Sequence, residues 1–373
     1  MNSQESATRK PKSIMIAGGG TGGHLYMGIA LARAMLRRDP SCEFLFVGTR
    51  RGLESRIVPQ EGFHLEYIDS AGLKGMRALN LVHNFLLIPR SLLQARRLVA
   101  RHAPDIVIGV GGYSSGPVVL AGWWLGRPTL ILEPNAWPGM TNRWLARVVD
   151  RAAVALPEAA RHFRGKAVVT GVPVRPEFHR LPQKAPEATF TLLIYGGSQG
   201  SHALNMITCE ALPDLKQLGS ELSIIHQTGQ KDLGFVRGKY EAAGLKADVR
   251  AFLPAIHKEF GRADLILSRA GASTVAELTA AGKAAILVPL PGAADDHQTR
   301  NAQSLEKIGA AKLIPEKDWA PGRLGKEIRH LMCRRDEVGA MGEAARKAGR
   351  PDAAERIAEL VLSAIEENKP RKG

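Results

Sequence analysis

Cysteine is nearly absent from this chain: Cys42, Cys209 and Cys333 stand far apart and share no metal-ligand spacing. Three scattered thiols exclude a disulfide framework and point to a reducing cytoplasm. Aromatic residues make up only 5% of the sequence, and no recognisable nucleic-acid module is present, so nucleic acid is not expected as a partner. No uninterrupted apolar run reaches the ~20 residues that cross a bilayer. The N-terminus, MNSQESATRKPK, is polar and lacks the apolar core of a signal peptide. Nor does an Asp-x-Asp triplet occur anywhere, which leaves the usual route to a metal-bound sugar diphosphate without obvious ligands.

What is plentiful is glycine, and it is arranged. Residues 13–24 read SIMIAGGGTGGH and residues 191–202 read TLLIYGGSQGSH, so that Gly18 aligns with Gly196, Gly19 with Gly197, Gly22 with Gly200 and His24 with His202. An apolar run that breaks at once into glycines suits a buried parallel strand turning sharply into a helix. The bare N–H groups of such a turn, beside a helix N-terminus, favour an anion and typically a phosphate. Two copies in 373 residues, more than one core usually holds, predict two Rossmann-like domains facing a cleft with a phosphorylated ligand between them.

The excess positive charge, +15 overall, is uneven: residues 1–188 carry 25 Lys+Arg against 13 Asp+Glu, residues 189–373 carry 26 against 23. A basic N-terminal half suits an anionic membrane surface or simply a soluble basic exterior. Within it, Leu81, Val82, Phe85, Leu86, Leu87 and Ile88 form an apolar patch followed by Arg90, Arg96 and Arg97. That stretch is either a helix buried on the sheet or a surface that dips into lipid headgroups.

Apolar runs predict strands at 13–17, 43–48, 64–68, 105–110, 128–132, 152–155 and 167–170, then at 190–195, 222–226, 248–252, 264–267, 285–288 and 312–314. Helical stretches such as 24–38 and 79–102 alternate with them, the pattern of an α/β fold with parallel sheets. The proline-rich 171–187 is the best linker candidate, and 351–367 reads as an amphipathic helix opened by Pro351. These features set the expected domains at 1–175 and 189–348, a linker at 176–188, and a C-terminal helix at 349–373 that returns to the first domain.

A nicotinamide-binding unit would carry an acid at the end of its second strand; here EFLFVGTRRG places Gly48 and Thr49 there. In the second half, SRAGASTVAEL (268–278) pairs a strand end with a helix start, where Ser273 or Thr274 can cap and Glu277 can accept hydrogen bonds from a ribose diol or merely offset the helix dipole. LVPLPGAADDHQTRNAQ (287–303) brings Asp295, Asp296, His297 and Gln298 to the same sheet edge, suited to sugar hydroxyls. GVGGYSSGPVV (109–119) and LEPNAWPGMTNRWL (132–145) add Tyr113, Glu133 and Asn135 in the first half, and His24 reaches the same rim. Histidine titrates near neutrality, so His24 is either a loop hydrogen-bonder or a general base.

Taken in order, GGGTGGH (18–24), GLKG (72–75), GVGGYSSGP (109–117), EPN…GMTNRWL (133–145), GVPVR (171–175), GGSQGS (196–201), HQTG (226–229), SRAGASTVAEL and DDHQTRNA (295–302) resemble the MurG family over nearly the whole chain. The resemblance implies a GT-B fold and an inverting transferase that moves GlcNAc from UDP-GlcNAc to the C4 hydroxyl of the muramoyl sugar on undecaprenyl diphosphate (lipid I to lipid II). It implies peptidoglycan synthesis with no cofactor or metal, at the cytoplasmic face of the membrane as a peripheral protein, with partners in wall synthesis not readable. It also implies roles for residues. Thr21, Gly22 and Gly23 would lie beside the sugar and the acceptor diphosphate, with His24 as candidate base and Glu133 in reserve. Asn135 would contact GlcNAc and Arg175 the donor diphosphate. Ser198 would bind a phosphate and the backbone of Leu253 would face uracil. Ala272, Ser273, Thr274, Val275, Ala276 and Glu277 would hold phosphate and ribose, and Gln298 the GlcNAc hydroxyls.

The chain departs from the family pattern at Leu132 and Pro134, where the family commonly has His and Gln, at Val172 in place of Asn, and at Met27 in place of proline. The alternatives that donor-side motifs leave open are another GT-B enzyme using UDP-GlcNAc, such as an epimerase or glycolipid synthase, and a non-catalytic membrane-associated nucleotide-sugar binding protein.

Overall fold

The apolar runs become parallel strands. A computed structural model describes residues 11–19, 22–70, 78–182, 184, 189–197 and 199–368, with the backbone alone for 22 and 78–86. Thr21, Ser198, the GLKG block and the side chains of 81–86 therefore lie outside the described residues. In chain order the first half runs β1 Ser13–Gly18, α1 Gly22–Arg38, β2 Glu43–Gly48, α2 Glu54–Gln60, β3 His64–Tyr67, α3 Ala78–His102, β4 Ile106–Gly111, α4 Ser115–Trp124, β5 Thr129–Glu133, α5 Met140–Leu145, β6 Arg151–Val154, α6 Pro157–Ala160 and β7 Ala167–Val169. The second half runs β8 Phe190–Tyr195, α7 His202–Lys216, β9 Leu222–Gln227, α8 Leu233–Ala243, β10 Asp248–Arg250, α9 Ile256–Arg262, β11 Leu265–Ser268, α10 Ala272–Ala281, β12 Ala284–Leu287, α11 His297–Lys307, β13 Ala311–Leu313, α12 Arg323–Cys333, α13 Arg335–Ala348 and α14 Ala353–Glu367.

Two sheets result, in the orders β3-β2-β1-β4-β5-β6-β7 and β10-β9-β8-β11-β12-β13, and every pairing is parallel. Because strand side chains alternate between faces, Ile14 and Ile16 join one core with Phe46 and Ile108, while Met15 and Ala17 join another with Val47 and Val107. In the second sheet Leu192 and Ile194 face one core and Leu193 the other. Both faces of each sheet are thus covered, which is why the strands read as continuous apolar runs. The order in which strands are added reverses between β1 and β4, and again between β8 and β11, so each sheet has a switch point just beyond β1 or β8.

The contacts divide the chain into two compact units. The second comprises Pro134–Gly139 and Val174–Pro351; the first holds β1–β7 together with α14. Residues 134–139, expected in the first domain, thus cluster with the second. The proline-rich stretch expected as a linker contains a short turn of helix, Pro176–Arg180, whose Phe178 is fully buried and meets Phe260 edge-on at 5.1 Å. Apolar burial anchors it more firmly than its lack of periodicity suggests. Helix α14 packs on α1: Ile357, Val361 and Ile365 enter the core of Leu31 and Met35. Arg37 and Arg38 pair with Glu355 and Glu359 at 3.1 and 2.8 Å around that seam. The buried side chains, at about 1.5–3 kcal/mol each, outweigh such exposed ion pairs. Among the described residues no helix is long and apolar enough to cross a membrane.

Candidate active site

In the first unit the glycine loop leaves β1 and is packed backbone to backbone against the turn that follows β4. Gly19 N donates to Gly111 O at 3.3 Å, and a Cβ placed on Gly112 would lie 2.1 Å from Gly19 O. Gly112 also has φ +83°, so both space and conformation require glycine there. Gly22 and Gly23 open α1, and the half-buried His24 ring lies over Gly111, whose Cβ would fall 2.9 Å from His24 Cδ2. At the start of α4 the hydroxyls of Ser114 and Ser115 are buried and make no hydrogen bond among the described residues. Tyr113 beside them is exposed. Glu133, at the end of β5, is buried and its Oε2 accepts a hydrogen bond from Asn142 Nδ2 at 2.8 Å.

The exterior of α3, α4 and α5 carries, besides Ile88 of the apolar patch, residues that the sequence did not single out. Trp124 and Trp144 are 61% and 67% exposed, with Trp123, Met140, Ile88 and Leu93 also at the surface. Arg96 lies over the Trp124 ring at 5.6 Å and Arg147 over Trp144 at 5.4 Å. Large exposed rings on neighbouring helices, each shadowed by a guanidinium, thus form an aromatic and basic patch on this exterior.

In the second unit the glycine loop leaves β8 and meets the turn after β9. A Cβ on Gly200 would be 2.1 Å from Thr228 O, and one on Gly229 would be 2.1 Å from Gln199 O. Asn205, on α7, fixes that turn by donating to Thr228 O at 3.0 Å while its Oδ1 meets His226 Nε2 at 3.0 Å. Burial pushes His226 down to about 3, which keeps it neutral between Asn205 and Tyr240. Arg269, immediately after β11, ties three segments together. Its Nε donates to Ser201 Oγ, the α7 N-cap, at 3.0 Å; its Nη1 donates to Val288 O and Pro289 O at 3.2 and 3.0 Å and pairs with Glu316 at 2.8 Å.

Helix α10 begins after Gly271, with Ala272 and Ser273 toward its open end and Thr274 and Val275 buried. Ala276 is partly exposed, and Glu277 lies one residue further along. Glu277 Oε2 is buried with no hydrogen-bond partner among the described residues. Burial pushes its carboxyl up to about 7, and the Arg175 guanidinium, 3.8 Å away, offsets only part of that. Arg175 itself is half exposed and lies over the Phe178 ring at 5.1 Å. Burial, with the Glu277 charge adding to it, also raises the Tyr195 hydroxyl well above its ordinary range.

Gln298, in the first turn of α11, uses its Oε1 to accept from Ala270 N and Leu290 N at 3.2 and 3.0 Å, which turns its NH2 group to other partners. Just before it, Asp295 and Asp296 adopt left-handed backbone angles, φ 54° and 53°, a strain that clusters at functional loops. Asn301, fully buried one turn later, accepts from Ala136 N at 2.8 Å and donates to Asn135 Oδ1 and Ala270 O at 3.1 Å each. Arg300 lies 4.0 Å above the Trp137 ring. Asn135, Gln298 and the α10 entry are thereby joined through Asn301, which the sequence motif contained but nothing in its spacing distinguished. Leu253 is buried in the core behind α9 and α10, leaving its backbone as the group available to a ligand, while Phe252 beside it is exposed. Among the described residues no three His, Cys, Asp or Glu side chains are grouped to hold a metal ion.

Residues 14–154 match the glycosyltransferase family 28 N-terminal domain and residues 191–357 the family 28 C-terminal domain. A UDP-N-acetylglucosamine--N-acetylmuramyl-(pentapeptide) pyrophosphoryl-undecaprenol N-acetylglucosamine transferase of Anaeromyxobacter sp. (strain Fw109-5) is 48% identical over 357 residues, covering 94% of this chain and 93% of that protein. The protein of that name in Myxococcus xanthus is 43% identical over 352 residues, 94% and 92% of the two chains. Among solved structures, Acinetobacter baumannii MurG matches with a TM-score of 0.80 and 34% identity, over 95% of this chain and 100% of that one. With two family domains and near-full-length relatives agreeing, the chain belongs to the MurG family of glycosyltransferase family 28.

Proposed function

We propose that this chain transfers GlcNAc from UDP-GlcNAc to the C4 hydroxyl of undecaprenyl-diphospho-N-acetylmuramoyl-pentapeptide, with inversion, in peptidoglycan synthesis. The observation that carries the donor side is Glu277: a buried carboxylate with an unpartnered oxygen, one turn inside a helix whose N-terminus is open, fits a ribose diol below a diphosphate. The NH2 group of Gln298, turned away from Ala270 and Leu290, donates to a GlcNAc hydroxyl. Asn135, held by Asn301, contacts the same sugar. Arg175 and the N-termini of α7 and α10, with Ser198 and residues 272–276, stabilise the diphosphate as it leaves, so no divalent ion is required. The backbone of Leu253 faces the uracil.

On the acceptor side, Thr21, Gly22 and Gly23 with the first turn of α4 receive the lipid diphosphate. The C4 oxygen attacks C1 of GlcNAc, the C1–O bond to UDP breaks on the opposite face, and His24 takes the hydroxyl proton. Glu133 is the alternative base; its bond to Asn142 favours a structural role for it. The tryptophans on α4 and α5, with Arg96 and Arg147, seat the protein peripherally on the anionic cytoplasmic face of the membrane, where its lipid-linked acceptor lies. The test is UDP release from UDP-GlcNAc by the purified chain with and without a lipid I analogue. Release that requires the analogue supports the reading; release without it, or none with it, refutes it.

A further inference from the structure

Glutamate is almost never fully buried unless it is paired, and Glu54, the first residue of α2, is 1% exposed. Its Oε1 accepts hydrogen bonds from Thr49 N at 2.8 Å and Thr49 Oγ1 at 2.9 Å. Three glycines surround the rest of the carboxylate. A Cβ would lie 2.4 Å from Oε2 if placed on Gly19, 2.1 Å from Oε2 on Gly52, and 2.3 Å from Cγ on Gly48. The end of β2 therefore does hold an acid, delivered from α2 and turned inward against Gly19.

Gly19 has the Gly111–Gly112 turn on its other side, through the 3.3 Å hydrogen bond to Gly111 O and the close approach of Gly112. The same Gly111 carries the His24 ring. From Glu54 to Gly19 to Gly111 to His24, each step is a direct contact with no side chain intervening. We propose that Glu54 is a positioning residue for the acceptor side of the transfer: its carboxylate clamps Gly19 against the Gly111–Gly112 turn and so sets where Gly19 and His24 stand. The proposal rests on the reading of that loop as the acceptor side. Displacements near 1 Å cost rate severely in such sites, whereas the residues proposed for the donor's ribose and diphosphate, Arg175 and 272–277, belong to the second unit.

The test uses the full chain and the variants Glu54→Ala, Glu54→Gln, Gly19→Ala and the Gly19→Ala/Glu54→Ala double. UDP-GlcNAc affinity is read by calorimetry, acceptor kcat/KM at saturating donor, and stability by thermal melting. Glu54→Ala and Gly19→Ala should each lower acceptor kcat/KM about 10–100-fold, with the donor Kd unchanged within about twofold. Glu54→Gln, which keeps an acceptor for Thr49, should recover most of the loss. In the double variant the methyl occupies space the carboxylate has left, so the effects should be less than additive. Wild-type acceptor kinetics in Glu54→Ala, an equal loss of donor affinity, or strict additivity would overturn the clamp. Should Glu54→Ala fail to fold, Gly19→Ala and Glu54→Gln decide by the same readouts. A wild type without transfer activity would instead overturn the functional reading and the acceptor role with it.

Discussion

Arg175 Nη2 stands 3.8 Å from Glu277 Oε1, too far for a hydrogen bond and too weakly coupled to cancel the burial that lifts this carboxyl to about 7. Between its ordinary 4.5 and about 7 the folded chain keeps a proton that the unfolded chain releases. The stability contributed by Glu277 therefore falls as pH rises through that window. A ribose diol donates its hydrogens best to the charged carboxylate, so donor binding should tighten as pH approaches and passes 7, with a proton released. Glu277→Gln should flatten both profiles, and Glu277→Ala should weaken UDP-GlcNAc by about 1–3 kcal/mol. Titration calorimetry across pH 5.5–8.5, about the range that brackets the shift, checks this; an unchanged donor Kd in Glu277→Ala removes the ribose assignment.

The base assignment separates two residues that the structure treats differently. His24→Ala should cut turnover about 10²–10⁴-fold and leave donor affinity nearly unchanged. Glu133→Ala should instead act on stability, because it leaves the buried Asn142 amide without its acceptor, at a cost of about 1–3 kcal/mol. If His24→Ala keeps most of its turnover while Glu133→Ala abolishes it at unchanged stability, the carboxylate is the base.

Much of the fold is legible in the sequence. Among the described residues the central strands of both sheets sit where apolar runs end in glycine or polar turns, because a strand buried on both faces has no choice but to be apolar. Edge strands such as His64–Tyr67 and Asp248–Arg250 instead carry polar residues. The C-terminal helix was equally legible from its stripe. Contacts made at a distance were not. Nothing in EPNAWPG says that Asn135 and Ala136 meet Asn301, or that Arg269 gathers Ser201 and the β12 exit, since hydrogen bonds between a side chain and groups distant in sequence leave no periodic trace. Glu54 escaped for the same reason: the rule looks at the end of β2, and the acid arrives six residues later from α2. The tryptophans of α4 fell inside an apolar helix, where exposure cannot be told from burial by pattern alone.

Membrane association should have two components. The basic N-terminal half should give salt-sensitive binding to anionic vesicles, and the exposed rings a part that survives high salt. A Trp124→Ser/Trp144→Ser variant should lose the salt-resistant part in vesicle sedimentation while melting like the wild type. Equal partitioning of the two proteins at high salt would show the rings to be inert surface.

Metal chelation should leave the chemistry intact if helix N-termini and Arg175 meet the diphosphate as proposed. Turnover in EDTA should match the untreated rate. Activity that vanishes in EDTA and returns only with a divalent ion would overturn this.

The transfer itself is read most directly from its product. Purified chain incubated with UDP-GlcNAc and an undecaprenyl-linked muramoyl-pentapeptide analogue should yield a lipid-linked disaccharide whose new linkage, by NMR, joins C1 of GlcNAc to C4 of the muramoyl sugar with inverted anomeric configuration. A retained configuration, a linkage to another hydroxyl, or conversion of UDP-GlcNAc without any lipid-linked product would contradict the account.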